Sequence, residues 1–398
     1  MAIDFQQIYT KIKEIGAGAR ERKKTLEERR SRARDLLSAY ASELDALRIA
    51  VDAAKRADPS LRCALPLDEA LASSCPPPDS VPQAILIAAD GSQINPDRHA
   101  ATQFCLINVG ALVMQTRSGA APEIHTHSEL LYGDELDTQT GVMTEGMVAL
   151  RRDLKERSQL EELSRDMDGA VVTFTDGPIE LWGARDGEDA KAYLDALDNY
   201  KSVLSRLQAR GVITAGYVDK PSANLVVRLL EIASASVGQD AILSYLRNYH
   251  PLRGVSDRWL FGEKSAPLLP PGHRSAVFGI QSKSEKDYQG ALSLRFFYLN
   301  VGADAHPWPA RVEIPKWVAD DREKLDLLHA VLVEQCRMMG SKPYPYLLHR
   351  AHEVAVVRQE EKYQVEQMLA QELRRQDEEL DDGSYKQSAK DLPGRTRR

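Results

Sequence analysis

The chain has 398 residues, 43% of them apolar and 28% charged, enough to bury a large core and to form two or three domains or one large domain with insertions. Its formal net charge of −7 excludes a global positive field that would draw it to nucleic acid, so such contacts must come from local basic patches, a partner, or a metal site that itself needs acids. The longest uncharged apolar runs, such as residues 84–89, are too short to cross a bilayer. The opening MAIDFQQIYTKIKE lacks the basic-then-apolar pattern of a signal peptide, so the cytoplasm is the expected compartment. Four scattered cysteines without a CxxC pair suggest neither a zinc cluster nor a disulfide framework.

Residues 5–56 are expected to be helical, with Ile8, Ile12, Ile15, Leu26, Leu36, Leu37, Leu44 and Leu47 at near-helical spacing. A basic block between Arg20 and Arg34, diluted by Glu21, Glu27 and Glu28, reads as a solvated or coiled helix face in preference to a phosphate-binding arm. SSCPPPDSVPQ (73–83) reads as an irregular linker. ILIAA (85–89) and FCLINVGALVMQ (104–115) then read as strands of a hairpin or meander. An amphipathic helix is expected over 145–168, with Met147, Leu150, Leu154, Leu160 and Leu163 as its stripe. GAVVTFTDGP (169–178) is a buried strand stopped by Asp-Gly-Pro. A helix over 190–211, a strand over 212–219 and a helix over 221–235 follow. Residues 240–315 are less regular, with short strands near 275–282 and 293–302. Helices return over about 321–340 and 347–380, and 381–398 is a polar tail expected to be disordered. Strand–helix alternation with continuous apolar strands indicates an α/β fold with a mixed sheet covered on both faces.

Two strands share one grammar, an apolar run closed by Asp-Gly: Asp90 in AADGSQ and Asp176 in FTDGP. Asp-Gly is a common turn signal, and it is equally what adjacent strands would present if their carboxylates met at the sheet end around a cation. The intervening helix offers Glu156, Glu161 and Glu162, and an all-oxygen set suits Mg²⁺ or Mn²⁺. His349 and His352 stand three apart in PYPYLLHRAHEVAVV (343–357). HRAHE is not HExxH, so a zinc-protease reading fails, and each His or Tyr there could equally be a packing residue. No GxxxxGK[ST], GxSxG or GxGxxG is present, so the chain carries no phosphate-binding loop or hydrolase elbow of its own.

With these residues in view the chain resembles the NurA nucleases, which process DNA ends together with the HerA hexameric translocase. The resemblance lies in AADGSQ (88–93), LINVG (106–110), LRRDLKE (150–156), VTFTDGP (172–178), GYVDKPSANLVVRLLE (216–231) and YPYLLHRAH (344–352), in that order. It implies a ribonuclease H-like α/β core over about 80–360 with an irregular insertion at about 240–315. An N-terminal helical extension (1–72) and a charged helical and disordered tail (361–398) flank that core. It also implies a homodimer, Mn²⁺- or Mg²⁺-dependent cleavage of DNA, and a HerA-type partner in end processing for repair or defence. Carried over residue by residue, it assigns metal binding to Asp90, Glu156 and Asp176. Glu156 follows Arg152 by four residues, with Glu161 as the alternative. Tyr344 and His352, eight apart, complete the site, His352 as metal ligand or proton shuttle. Lys220 and Arg228 could contact the DNA backbone. In the DGS segment, Gly91 would let backbone approach the metal and Ser92 would bond a carboxylate. An adaptor with the same fold and weak or no cleavage, and a nuclease acting on RNA, are the competing readings.

Overall fold

A computed structural model of the chain describes residues 3–100, 102–138, 141–185, 189–236 and 246–376. They fall into two compact units, Met1–Asp79 with Tyr217–Val333 and Ser80–Gly216 with Glu334–Arg398. This division cuts across the consecutive one read from sequence, in which 1–72 is an extension. The cause is burial: the Leu44–Ala57 helix turns Leu47, Ala50, Val51 and Ala54 inward, against the Cys63–Pro66 strand and the Leu225–Ser236 helix of its own unit. The N-terminal helical region is broken into Phe5–Ala17, Ala19–Ala39 and Leu44–Ala57. The predicted linker is not wholly irregular either, since Ser74–Cys75 pairs with Arg274–Ser275.

In the first unit, Cys63–Pro66, Phe278–Gln281, Leu294–Asn300 and Pro309–Pro315 lie side by side, each antiparallel to the next. The last of these strands falls in the stretch read as irregular. Their core is aromatic: Phe261 stacks on Tyr298 at 4.8 Å and Phe278 on Phe296 at 5.4 Å, contacts that add to burial. Buried Asp257 accepts the backbone N–H of Val226 at 2.9 Å and of Val227 at 2.8 Å, satisfying orphan donors at the start of the Leu225–Ser236 helix. The Tyr298 hydroxyl donates to the same carboxylate at 2.7 Å. Burial still dominates and pushes Asp257 up to about 6.

The second unit is built on a meander, Ile85–Ile94, Phe104–Gln115 and Glu123–Tyr132, paired antiparallel. Val171–Asp176 joins the first strand in parallel, and the Ile213–Val218 strand, whose first four residues belong here, lies beyond it. The order is therefore 3-2-1-4-5, the ribonuclease H-like arrangement. The Glu145–Leu163 helix, capped by Thr144 Oγ accepting from Met147 N–H at 3.3 Å, lies in the connection from the third strand of the meander to Val171–Asp176. Ala190–Ala209 follows, and Tyr346–Ala355 and Gln359–Arg375 return near the end. Ile94, Phe104 and Leu106 form a small core with Val357, Val365 and Leu369, so the described part of the C-terminal tail region packs as a helix. The expected disordered stretch 381–398 lies outside the described residues.

Buried His329 carries a pH signature. One ring nitrogen, Nε2, sits 2.7 Å from the Gly272 carbonyl and so carries the proton, while Nδ1 is buried without a hydrogen-bond partner. Burial pulls its pKa down from 6.5 to about 4. Between these values the unfolded chain binds a proton here and the folded chain does not. Stability therefore falls as pH drops from 6.5 toward 4, by up to about 3 kcal/mol, and this contribution levels off below. Urea titrations across that window should show a shallower pH slope for His329→Gln than for the wild type; equal slopes would refute the assignment.

Candidate active site

The sheet register brings the two Asp-Gly aspartates together. Ala89 and Thr175 are paired across parallel strands, so the next residues on each, Asp90 and Asp176, stand side by side with side chains on the same face. The strands then part company. Asp176 ends its strand, and Gly177 turns the chain with φ +89, a conformation glycine adopts without strain. Asp90 does not end its strand, which runs on through Gly91 and Ser92 to Ile94; the turn expected at DGS is absent. Behind the pair, buried Arg157 donates to Thr175 Oγ at 2.6 Å and Thr214 Oγ at 2.8 Å, fixing the strand one residue before Asp176.

Gly91 is required by space. A Cβ there would lie 2.6 Å from Glu156 Oε1 and 2.7 Å from Arg152 Cγ. The missing side chain lets the carboxylate of the Glu145–Leu163 helix press against the Asp90 strand. Glu156 is buried and its pKa stands well above the usual carboxylate range. Burial is the first cause and the charges of Asp153 and Asp90 add to it, while Arg152, 3.3 Å away, opposes them. Asp153 is raised too, first by desolvation, against the pull of Arg152, whose guanidinium lies 2.8 Å from it. Asp153 is thus a third acid near Asp90 that sequence reasoning missed, although it lies in the LRRDLKE block.

On the opposite face of the sheet, His352 Nδ1 lies 2.7 Å from Asp90 Oδ2. An ionised carboxylate only accepts, so the imidazole donates. The helix that carries His352 is seated by Gly110, the register partner of Asp90. A Cβ on Gly110 would fall 2.6 Å from Ala355 N and 2.8 Å from Ala351 O. Ser92 Oγ donates to the Ala355 carbonyl at 2.5 Å, and Asn108 Nδ2 donates to the same oxygen at 2.7 Å. Ser92 therefore holds the helix end, not a carboxylate. Tyr344 is half-buried, two residues before that helix begins.

Other candidates stand apart from this cluster. Glu161 is buried beneath Arg165, Arg210 and Arg206 at 2.9, 3.0 and 3.4 Å, and Arg165 first among them holds it below the usual carboxylate range. Its neighbour Glu162 is exposed. His349 faces Glu353 at 3.5 Å. Lys220 is exposed just past the Ile213–Val218 strand. Arg228, expected as a DNA contact, is a correction. It is buried, and its guanidinium is taken by Glu231 at 2.7 Å and by the carbonyls of Leu246 and Tyr249 at 2.6 Å, which leaves no charge to offer a phosphate.

Among the described residues, no three His, Cys, Asp or Glu side chains converge into a ready-made metal shell. The donor chemistry nonetheless fits a hard cation. Asp90, Asp176 and Glu156 offer oxygens, and the charges of Asp153 and Asp90 add to the burial that raises Glu156.

A model of the NurA domain matches residues 85–357. Among solved structures, the NurA nuclease from Sulfolobus solfataricus is similar with a TM-score of 0.52 at 10% identity, over 94% of this chain and 98% of that one. Endonuclease V from Ciona intestinalis, in complex with a 24mer DNA containing an inosine followed by a ribo-adenosine, aligns at a TM-score of 0.29 and 12% identity over 77% and 93% of the two chains, too low to carry an argument. No curated protein matches the sequence.

Because the glycines act through space, Gly91→Ala and Gly110→Ala should each destabilise the protein by about 1–3 kcal/mol. Gly146→Ala, in a helical first turn with nothing nearer than 3.8 Å, should be neutral or stabilising. Chemical denaturation of the three variants checks this, and a neutral Gly110→Ala would show that the His352 helix is not seated by close approach.

Proposed function

The chain belongs to the NurA family, and on that premise we propose that it is a divalent-metal-dependent nuclease that cuts DNA ends. The observation that carries this reading is the register-enforced pairing of Asp90 with Asp176, with Glu156 pressed beside Gly91. Asp90, Asp176 and Glu156 would hold Mn²⁺ or Mg²⁺. Such ions, when bound, supply Lewis acidity toward a phosphodiester and lower the pKa of a water.

The chain's own residues do the rest. Asp90 orients His352 by accepting its Nδ1–H, which leaves Nε2 as the atom that exchanges a proton with the leaving oxygen. Arg152 balances the acids around Glu156. Tyr344 orients a phosphate, and exposed Lys220 contacts the DNA backbone. Since the sequence contains no phosphate-binding loop, movement along DNA needs an ATP-driven partner. A HerA-type hexameric ATPase working with a homodimer of this chain is the assembly we propose, in repair or defence at DNA ends.

Incubation of the full chain with linear DNA and Mn²⁺ should give degradation that chelation stops. Asp90→Ala and Asp176→Ala should fall to background, and His352→Ala should lose about two to four orders of magnitude. Unimpaired cleavage by Asp90→Ala would refute the site. The two helix acids should separate cleanly. Glu156→Gln should lose activity while keeping its melting temperature, because burial already holds Glu156 toward its neutral form and Gln is its neutral isostere. Glu161→Gln should lose stability first, because it strands three arginines.

A further inference from the structure

The sheet of the second unit ends on the Glu123–Tyr132 strand, and among the described residues no strand pairs with its outer side. Alternation along the ladders fixes which backbone groups that side presents. Ile85 N–H bonds the Ala170 carbonyl and Thr116 N–H bonds the Ala84 carbonyl. Even-numbered residues of Phe104–Gln115 therefore face the Ile85–Ile94 strand, and odd-numbered ones face Glu123–Tyr132. The register partners of those odd residues, His127 for Val109 and His125 for Ala111, are odd as well. Ile124, Thr126, Ser128 and Leu130 are thus left pointing N–H and C=O outward. A long edge of this kind is normally blunted by Lys, Pro or a bulge. This one has none of them. Its 10 residues contain neither Lys nor Pro, its register with the neighbouring strand is unbroken, and Ile124 and Leu130 are exposed.

We propose that this edge pairs with the same edge of a second copy of the chain, antiparallel about a two-fold axis through His127. The segment EIHTHSELLY is self-complementary in that register. On one face His125 stands opposite the partner's Glu129, twice by symmetry, with His127 opposite the partner's His127 at the axis. On the other face Ile124 meets the partner's Leu130, and Thr126 meets the partner's Ser128. The outward groups of these even-numbered residues then exchange about eight backbone hydrogen bonds. An axis through Thr126 would instead oppose Glu123 to the partner's Glu129 and Ile124 to the partner's Ser128, a like-charge pair and a mismatched one. Arg151 and Lys155 already fix the Glu129 carboxylate, at 2.6 and 3.3 Å, on the face that carries His125. The fit of the strand to itself selects a second copy over a strand of another protein. It gives the homodimer proposed above a surface, and it rests on the edge and not on the nuclease reading.

Sedimentation of the full chain over a dilution series should show a dimer. Thr126→Pro removes an outward donor without touching the inner ladder and should dissociate it. His125→Glu should weaken the dimer about fivefold, and His125→Lys should not. Crosslinking reads the register directly. A residue that faces itself across the axis brings the two Cα atoms to about 4.5 Å, within disulfide reach. His127→Cys should therefore give a covalent dimer with oxidised glutathione, while Ile124→Cys, also exposed, and the wild type should not. Should Thr126→Pro fail to fold, His127→Cys decides alone. A wild type that stays monomeric, a dimer that Thr126→Pro leaves intact, or crosslinking as strong at Ile124→Cys would overturn the proposal. A dimer that behaves as described in a chain that cuts no DNA under any metal would sink the nuclease reading and leave this one. Cleavage by a chain that His127→Cys does not crosslink would do the reverse.

Discussion

The candidate site depends on three side chains that are not there. Gly91 admits Glu156 against the Asp90 strand and Gly110 admits the backbone of the His352 helix. At Gly216 a Cβ would fall 2.5 Å from the Gly177 carbonyl, in the turn just after Asp176. Each vacancy brings in one of the elements that carry a site residue. Hydrogen bonds then fix what close approach allows: Ser92 and Asn108 both hold the Ala355 carbonyl, and Arg157 grips the threonines beside Asp176. A methyl at any of these positions would move a whole element, because protein interiors transmit strain instead of absorbing it.

Close approach has an electrostatic cost. On top of burial, Asp90 and Asp153 both raise the proton affinity of Glu156, and Asp90 raises that of Asp153; one arginine, Arg152, meets both Asp153 and Glu156. A core selected only for stability would not gather them, since buried like charges are repaid only by excellent pairing. The pairing here is incomplete on the side of Glu156 and strong on the side of Asp90, which His352 already engages. Asp90 is thus held by a direct partner, while Glu156 keeps the larger part of its burial uncompensated.

Much of this was legible in the sequence, though for partly mistaken reasons. The apolar runs located the strands around Asp90 and Asp176, and the helical period located the Glu145–Leu163 helix, because both signals arise from burial within a few residues. The two Asp-Gly pairs look identical in sequence. Only at Gly177 is the glycine there for its backbone angle; at Gly91 it answers to a side chain 65 positions along, which no local pattern encodes. The Glu123–Tyr132 strand went unread because it carries mostly exposed residues, without the alternation that marks a half-buried strand. Arg228 misled for the converse reason: its charge suggested a surface contact, while its partners at Glu231, Leu246 and Tyr249 lie inside the fold. The division into units was equally hidden, because the helix that joins the first 79 residues to 217–333 is recognised by where its apolar face lands, not by its own period.

Glu156 and Glu161 make the same point within a single helix. They are the same residue five positions apart, and both are buried. Glu161 meets three guanidiniums and is held ionised, a structural anchor at the helix end. Glu156 is pushed toward its neutral form first by burial and then by the charges of Asp153 and Asp90, against one shared arginine. Identical carboxylates are thus shifted in opposite directions by what surrounds them. The distinction follows from the sheet. Glu156 lies where the Asp90 strand has a glycine, and Glu161 lies where the next helix ends in arginines. Geometry set by backbone register therefore decides which acid lies against the Asp90 strand and which is tied to arginines.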